Sequence, residues 1–333
     1  MSKKINVLVD GAGGDVGQGV LKSLLDSQLN IKLYASCIST SSSWLYKIQN
    51  SFIFPFVSDE SFIDFLINFL NKHQIDVYFP TVDSSLLKIS TYKIEIETRT
   101  NAKVFIADFE KIQICDDKFL TYKFLIENGF TAPQTISMDS NDIENFLLEN
   151  NFPYILKTKS GNGAKNIIKV TSLEELKPFM GNQSWLLQEY LDVSNEITSG
   201  IYIGNDGEIK GIYILKRTLK CGSTYQAERI LDKELETKLI AIAKKMNMKY
   251  LNIQATYDKG ILLPFEFNGR LSGTTGAVRT IFNAPEMYIR EKVLGEALVS
   301  SQNNQKIFFT RYNEEVVYTE SDMHDLQKRS ALI

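Results

Sequence analysis

Apolar residues in the first third of the chain fall in short buried runs separated by helical spacings. Ile5–Asp10 is a strand, followed by a glycine-rich turn and a helical repeat through Val20, Leu21, Leu24 and Leu25. Ile31–Ser36 and Phe52–Phe54 read as the next strands. Phe62, Phe65, Leu66, Phe69 and Leu70 recur at helical spacing, and Asp76–Pro80 and Lys103–Ala107 are again strands. This alternation predicts a doubly wound parallel sheet over residues 1–113.

The pattern then changes. A linking helix over Asp117–Asn128 closes at Gly129 and is followed by Pro133. Strands are expected at Pro153–Lys157, Asn166–Val170 and Trp185–Tyr190, with a helix over Ser172–Met180. The long strands Ile197–Ile203 and Ile209–Lys216 are joined by Asn205-Asp206-Gly207, a hairpin turn. After the helix Lys233–Met246 comes a second hairpin, Tyr250–Tyr257 with Gly260–Asn268, then a helix Pro285–Leu298 and a strand-like Ile307–Arg311. The second half is therefore α+β with antiparallel sheets. We divide it into a small subdomain (114–191), a larger one (192–312) and a C-terminal tail (313–333).

A chain of 333 residues exceeds what one core usually organises, which fits several domains. A net charge of −3 offers no field for nucleic acid or an anionic membrane, and no apolar run spans a bilayer, so a cytoplasmic protein is expected. Cys37, Cys115 and Cys221 lack metal or redox spacing and read as small buried hydrophobes. His73 and His324 sit in no motif. The chemistry is left to carboxylates, amides, lysines, arginines and a metal.

Three stretches can carry it. In Glu266-Phe267-Asn268-Gly269-Arg270, at a strand end, alternate side chains share a face, which suits Mg²⁺ and the phosphates it bridges. Gln254, on the partner strand, can add an oxygen; a polar strand edge would look the same. Lys157 leads into Thr158-Lys159-Ser160-Gly161-Asn162-Gly163, a loop able to wrap phosphates or simply to turn. Leu187-Gln188-Glu189-Tyr190-Leu191 exits a strand, with Glu196 further on, and can meet adenine and ribose.

The order of these elements resembles the ATP-grasp superfamily, nearest the branch of carbamoyl-phosphate synthetase large-subunit halves and the pyrrolysine-biosynthesis ligase. The resemblance spans about Ile5 to Arg279. It implies that Lys118 and Lys157 hold ATP phosphates with the Ser160, Gly161 and Gly163 loop. Glu189, Tyr190 and Leu191 would hold adenine, and Glu196 the ribose. Gln254, Glu266 and Asn268 would bind Mg²⁺, with Mn²⁺ as a substitute, and Arg270 would follow them. Thr158 and Gly269 stand where the family usually has proline. Lys216 or Arg217 would meet an anionic substrate or the γ-phosphate, one of the two facing solvent instead. The implied activity is a carboxylate–amine ligase working through an acyl phosphate on an amino acid, peptide or sugar acid. Its partners would be small molecules, with a homodimer allowed for.

Two other classes stay open. Gly11-Ala12-Gly13-Gly14-Asp15-Val16-Gly17 invites an NAD(P)-dependent dehydrogenase, though the spacing is irregular and the second strand ends Tyr34-Ala35-Ser36-Cys37 without an acid for a ribose. The other is a catalytically silent ATP-binding protein. Asp83 is expected to cap the helix Ser84–Ser90 or to touch substrate at a domain cleft.

Overall fold

The computed structural model describes residues 3–149, 151–161, 166–301 and 303–332. Its N-terminal part is a five-stranded sheet of β1 (Ile5–Val9), β2 (Ile31–Cys37), β3 (Asn50–Ile53), β4 (Val77–Phe79) and β5 (Lys103–Val104). The order is β3-β2-β1-β4-β5, with every pair parallel. Runs such as Val7, Leu8 and Val9 are wholly buried, as a sheet covered on both faces requires. The strand order reverses between β1 and β4, and a crevice opens at their C-terminal ends.

A second, antiparallel sheet contains β6 (Thr135–Ser137), β7 (Tyr154–Thr158), β8 (Ile167–Val170) and β9 (Trp185–Glu189), in the order β6-β9-β7-β8. It has its own small core of Ile136, Met138, Tyr154, Leu156 and Leu187.

The third sheet is formed by β10 (Glu196–Ile203), β11 (Ile209–Lys220), β12 (Ser223–Arg229), β13 (Tyr250–Asp258), β14 (Ile261–Asn268) and β15 (Phe308–Thr310). Its order is β14-β13-β10-β11-β12-β15, again antiparallel. One face packs on the helix Lys233–Met246 through Leu235, Leu239, Ile242 and Ala243. On the other, register sets Gln254 opposite Glu266 and Asn252 opposite Asn268, so these four side chains share a face.

Several elements differ from expectation. The helix expected over Pro285–Leu298 is Ala284–Lys292, and Gly295 with φ +68° turns the chain beyond it. Ser172–Met180 shortens to Leu173–Leu176 and a 3₁₀ turn, Lys177–Phe179. Asp83 is the first residue of its helix, with Val82 at the cap and no side-chain cap bond, so the capping role does not hold.

The tail is structured as well. Helix Glu320–Ser330 starts in a capping box between Thr319 and Asp322. Ser330 Oγ accepts the Ile53 N–H at 2.8 Å, Tyr318 stacks on Tyr46 with ring centroids 3.8 Å apart, and Leu326 is 1% exposed. The helix thereby covers the edge strand of the parallel sheet. Leu326→Ala is expected to cost about 2–4 kcal/mol, read as a lower urea midpoint; an unchanged midpoint would remove this docking role.

Candidate functional site

Two lysines of the small sheet region are buried. Lys118 opens the helix Lys118–Glu127, where Asp117 caps by accepting the N–H of Phe119 at 2.7 Å and of Leu120 at 3.1 Å. The Lys118 backbone N–H donates to Lys159 O at 2.9 Å and its Nζ to Gly161 O at 2.5 Å. Lys157, on β7, donates from Nζ to Gln188 Oε1 at 2.9 Å, and Gln188 Nε2 donates to Thr135 Oγ1 at 2.8 Å. Burial pulls the Lys157 ammonium down to about 8, while the Glu266 carboxylate raises it and Lys118 lowers it further. Lys157 thus lies within electrostatic reach of both Lys118 and the third sheet's carboxylate. Gly161 has φ +115°, a conformation that favours glycine, and Ser160 is exposed. Gly163 lies outside the described residues.

At the exit of β9, Glu189 accepts the Gln134 N–H at 3.0 Å, and its own N–H donates to Gln134 O at 2.9 Å. Tyr190 is exposed, with the Lys169 ammonium 4.2 Å from its ring centroid, and Leu191 is half-buried. Glu196 begins β10 and is paired with Arg217, whose Nε and Nη2 both donate to Glu196 Oε1. Arg217 Nη2 also donates to Gln254 Oε1 at 2.8 Å, and Nη1 to Thr224 Oγ1 at 3.2 Å. One guanidinium therefore joins the carboxylate assigned to ribose and an amide assigned to metal. Lys216 points from the opposite face of β11, is exposed, and reaches Asn195 Oδ1 at 3.4 Å; it is not brought to this cluster.

On β14, Asn268 is buried and donates from Nδ2 to Asn252 Oδ1 at 3.2 Å and to Glu266 Oε1 at 3.5 Å. Asn252 Nδ2 in turn donates to Thr198 Oγ1 at 2.9 Å and Ser199 O at 2.6 Å. Gln254, Glu266 and Asn268 thus present one carboxylate and two amides, hard oxygen donors that fit Mg²⁺. Among the described residues, no group of three or more His, Cys, Asp and Glu side chains could hold a metal. Arg270 is not free: its Nε and Nη2 bind the Asp83 carboxylate across the domain junction, the latter bond at 2.6 Å, and its Nη1 donates to Leu271 O at 3.0 Å. Gln188 and Asn252 were not singled out from the sequence. The available signal was an amide among apolar strand neighbours, Gln188 after Leu186 and Leu187, and Asn252 between Leu251 and Ile253.

The glycine turn lines a separate cavity of about 400 Å³ at the crevice between β1 and β4. Asp10 at its base accepts the Tyr78 hydroxyl at 2.6 Å and the Thr81 N–H at 2.5 Å, and burial lifts its carboxyl to about 6 against those hydrogen bonds. Ser36 Oγ, also lining it, is buried with no partner among the described residues. Asp15 and Asp83 add carboxylates, and Phe54, Phe56 and Phe62 an apolar wall. Asp83 also lines a small pocket with Asn268 and Gly269, so the cavity adjoins the ligand strand. Asp83 and Asp15 are paired with Arg270 and Arg311, but Asp10 at the base adds a buried carboxyl where a pyrophosphate would sit, and the dehydrogenase reading is not favoured.

Residues 115–253 match the family model described as an ATP-grasp domain. A carbamoyl-phosphate synthase of Methanobrevibacter smithii is 29% identical over 139 residues, which is 41% of this chain and 37% of that protein. The chain thus spans little more than a third of that curated relative. The structure of an N5-carboxyaminoimidazole ribonucleotide synthetase in its ADP complex superposes with a TM-score of 0.71 at 14% identity, covering 92% of this chain and 80% of the other. An L-amino acid ligase from Bacillus licheniformis gives 0.64 at 13% identity, covering 87% and 74%. At these identities the likeness carries the fold, and the ATP-grasp resemblance drawn from the sequence holds. No helix among the described residues is long and apolar enough to cross a membrane.

Lys157 supplies a pH test. In the free protein its neutral amine prevails above about pH 8, whereas a triphosphate favours the ammonium. Nucleotide binding is then at full strength below that pH and weakens as pH rises through it, with proton uptake. Calorimetry from pH 7 to 9.5 (a range on the order of the shift itself) should show this slope, and Lys157→Ala, weaker throughout, should lose it. A flat profile for the unaltered chain would contradict a phosphate-binding Lys157.

Proposed function

We propose that this chain, whose residues 115–253 match an ATP-grasp domain, is an ATP-dependent carboxylate–amine ligase that activates an acid as an acyl phosphate and releases ADP. The observation that carries the reading is electrostatic: the buried Lys157 of the small sheet region feels both the neighbouring Lys118 and the Glu266 carboxylate of the large sheet. ATP binds between them. The two lysines and the loop at Ser160 and Gly161 take its phosphates, the exit of β9 at Glu189, Tyr190 and Leu191 takes adenine, and Glu196 takes ribose. Gln254, Glu266 and Asn268 would hold Mg²⁺, which supplies charge neutralisation at the phosphates it bridges.

The chain's own residues do the rest. Lys157 stabilises negative charge spreading over the transferring phosphoryl group from a site poor in competing water. Arg217 orients Glu196 and Gln254 together, so ribose and metal ligands are set by one group. Arg270, committed to Asp83, fixes the N-terminal cavity against β14. Lys216 has no part. Asp15 and Asp83 of that cavity are paired with Arg311 and Arg270, which leaves Asp10 and the apolar wall to receive an amine with an apolar body as the acceptor that displaces phosphate. The acid remains an amino acid, a peptide or a sugar acid.

Glu266→Gln is expected to lower turnover by roughly 10²-fold or more with the fold intact, as a circular dichroism melt would verify. With the acid, ATP and Mg²⁺, hydroxylamine should trap a hydroxamate while ADP and phosphate accumulate. Release of AMP and pyrophosphate would overturn the acyl-phosphate route, and a phosphorylated product resistant to hydroxylamine would make the chain a kinase.

A further inference from the structure

A gap in the large sheet has the make-up of a second ligand site. β11 is paired with β10 from Ile209 to Lys216, but β12 joins its outer edge only from Leu215 onward. On that outer edge Lys210 O accepts the Ser301 N–H at 2.7 Å and Ile214 O accepts the Ile230 N–H at 2.8 Å. Strand alternation gives Ile212, midway between them, the same outward direction for its N–H and C=O. A cavity of about 350 Å³ opens at this place, with Ile212, Ile214, Ile230 and Ile240 among its walls. That volume is in the range of small-molecule pockets.

Arg229, the last residue of β12, lines the cavity while only 6% exposed. Its Nη1 donates to Gln305 O at 3.0 Å, but its buried Nε has no partner among the described residues. The other charges at the cavity are compensated. Lys210 Nζ pairs with Asp206 at 2.6 Å and Lys233 with Glu236 at 2.9 Å. Glu236 is the one acidic side chain lining the cavity, and it raises the Arg229 guanidinium against the larger lowering by burial. A guanidinium taken out of water without a carboxylate at its side is costly unless an oxyanion completes it.

We propose that this cavity binds a small organic anion, a carboxylate or phosphate on an apolar body, with the Arg229 guanidinium as its charged donor. The site is separate from the nucleotide cleft yet built on the same strand pair. Arg229 lies opposite Leu215, and Ala227 lies opposite Arg217, which holds Glu196 and Gln254.

Calorimetry on the full chain with benzoate and phenyl phosphate, the carboxylate and phosphate arms, tests this. At least one probe should bind the unaltered protein, and the tighter arm identifies the anion. Arg229→Gln should weaken it roughly tenfold or more, Lys233→Glu several-fold, and Lys157→Ala not at all. The proposal fails if neither probe binds, or if affinity is lost in Lys157→Ala and kept in Arg229→Gln, which would place the anion in the phosphate cleft. Should Arg229→Gln not fold, Lys233→Glu decides, because that side chain is 85% exposed and its replacement leaves the packing intact. Unchanged affinity in it would overturn the site.

Discussion

Burying an ammonium group with no carboxylate in contact is costly, and the cleft between the two antiparallel sheets is organised around Lys157, which is held in that state. Its pKa falls from 10.5 to about 8, a differential of roughly 3 kcal/mol against the charged form. The neutral Gln188 amide is its direct acceptor, itself fixed through Thr135 on β6. A carboxylate in that place would have relieved the burial and neutralised the charge. The amide relieves only the hydrogen bond, so the positive potential stays available to a ligand. Glu266, across the cleft, contributes field without contact. The apparent flaw in the packing is therefore what would make the cleft receptive to phosphate in the proposed reading.

That arrangement also explains how the three sheets divide the work. Two large apolar clusters each include residues of both the parallel sheet and the six-stranded sheet, for example Leu8 with Ile253 in one and Val7 with Tyr250 in the other. A Cβ on Gly19 would come within 3.0 Å of the Gly276 backbone, so the helices there meet almost backbone to backbone. Arg270–Asp83 is largely shielded at this junction, whereas Arg279–Asp26 and Arg311–Asp15 are open to solvent and contribute little. The four-stranded sheet instead carries a core of its own. Across the cleft, its Lys157 meets the Glu266 of the large sheet through electrostatics, and in the proposed reading a polyanion between them would complete the charge balance.

How far the sequence disclosed this depended on what each residue answers to. The parallel sheet was legible because strands buried on both faces must be apolar throughout, as in Val7, Leu8 and Val9. Helix Lys233–Met246 was legible to the residue, since it has an Asp232 cap and a regular apolar stripe. β6 is three residues long, and β12 is mostly polar with no regular apolar alternation, so neither could rise above its surroundings. In the site, strand periodicity correctly put Glu266 and Asn268 on one face. The occupation of side chains was not legible. Nothing local to Arg270 announces Asp83, 187 residues away, and nothing in Lys216-Arg217 says which of the two looks inward. That choice follows from the β10–β11 register, a tertiary fact.

The composition of the ligand face sets a final constraint. Glu266 is its single carboxylate; Gln254 and Asn268 are neutral, and Arg217 already draws on the Gln254 oxygen. A divalent cation held by these groups alone would keep most of its charge and most of its water, since Mg²⁺ dehydrates reluctantly. Phosphate oxygens are needed to complete both its shell and its charge balance. In the proposed reading, the same shortage of carboxylates that weakens the face as a free metal site would tie metal binding to nucleotide binding. In the proposed transfer, two neutral amides would serve both its stages without adding repulsion as negative charge moves from the nucleotide to an acid. A face with three carboxylates would bind the metal more firmly and oppose that movement.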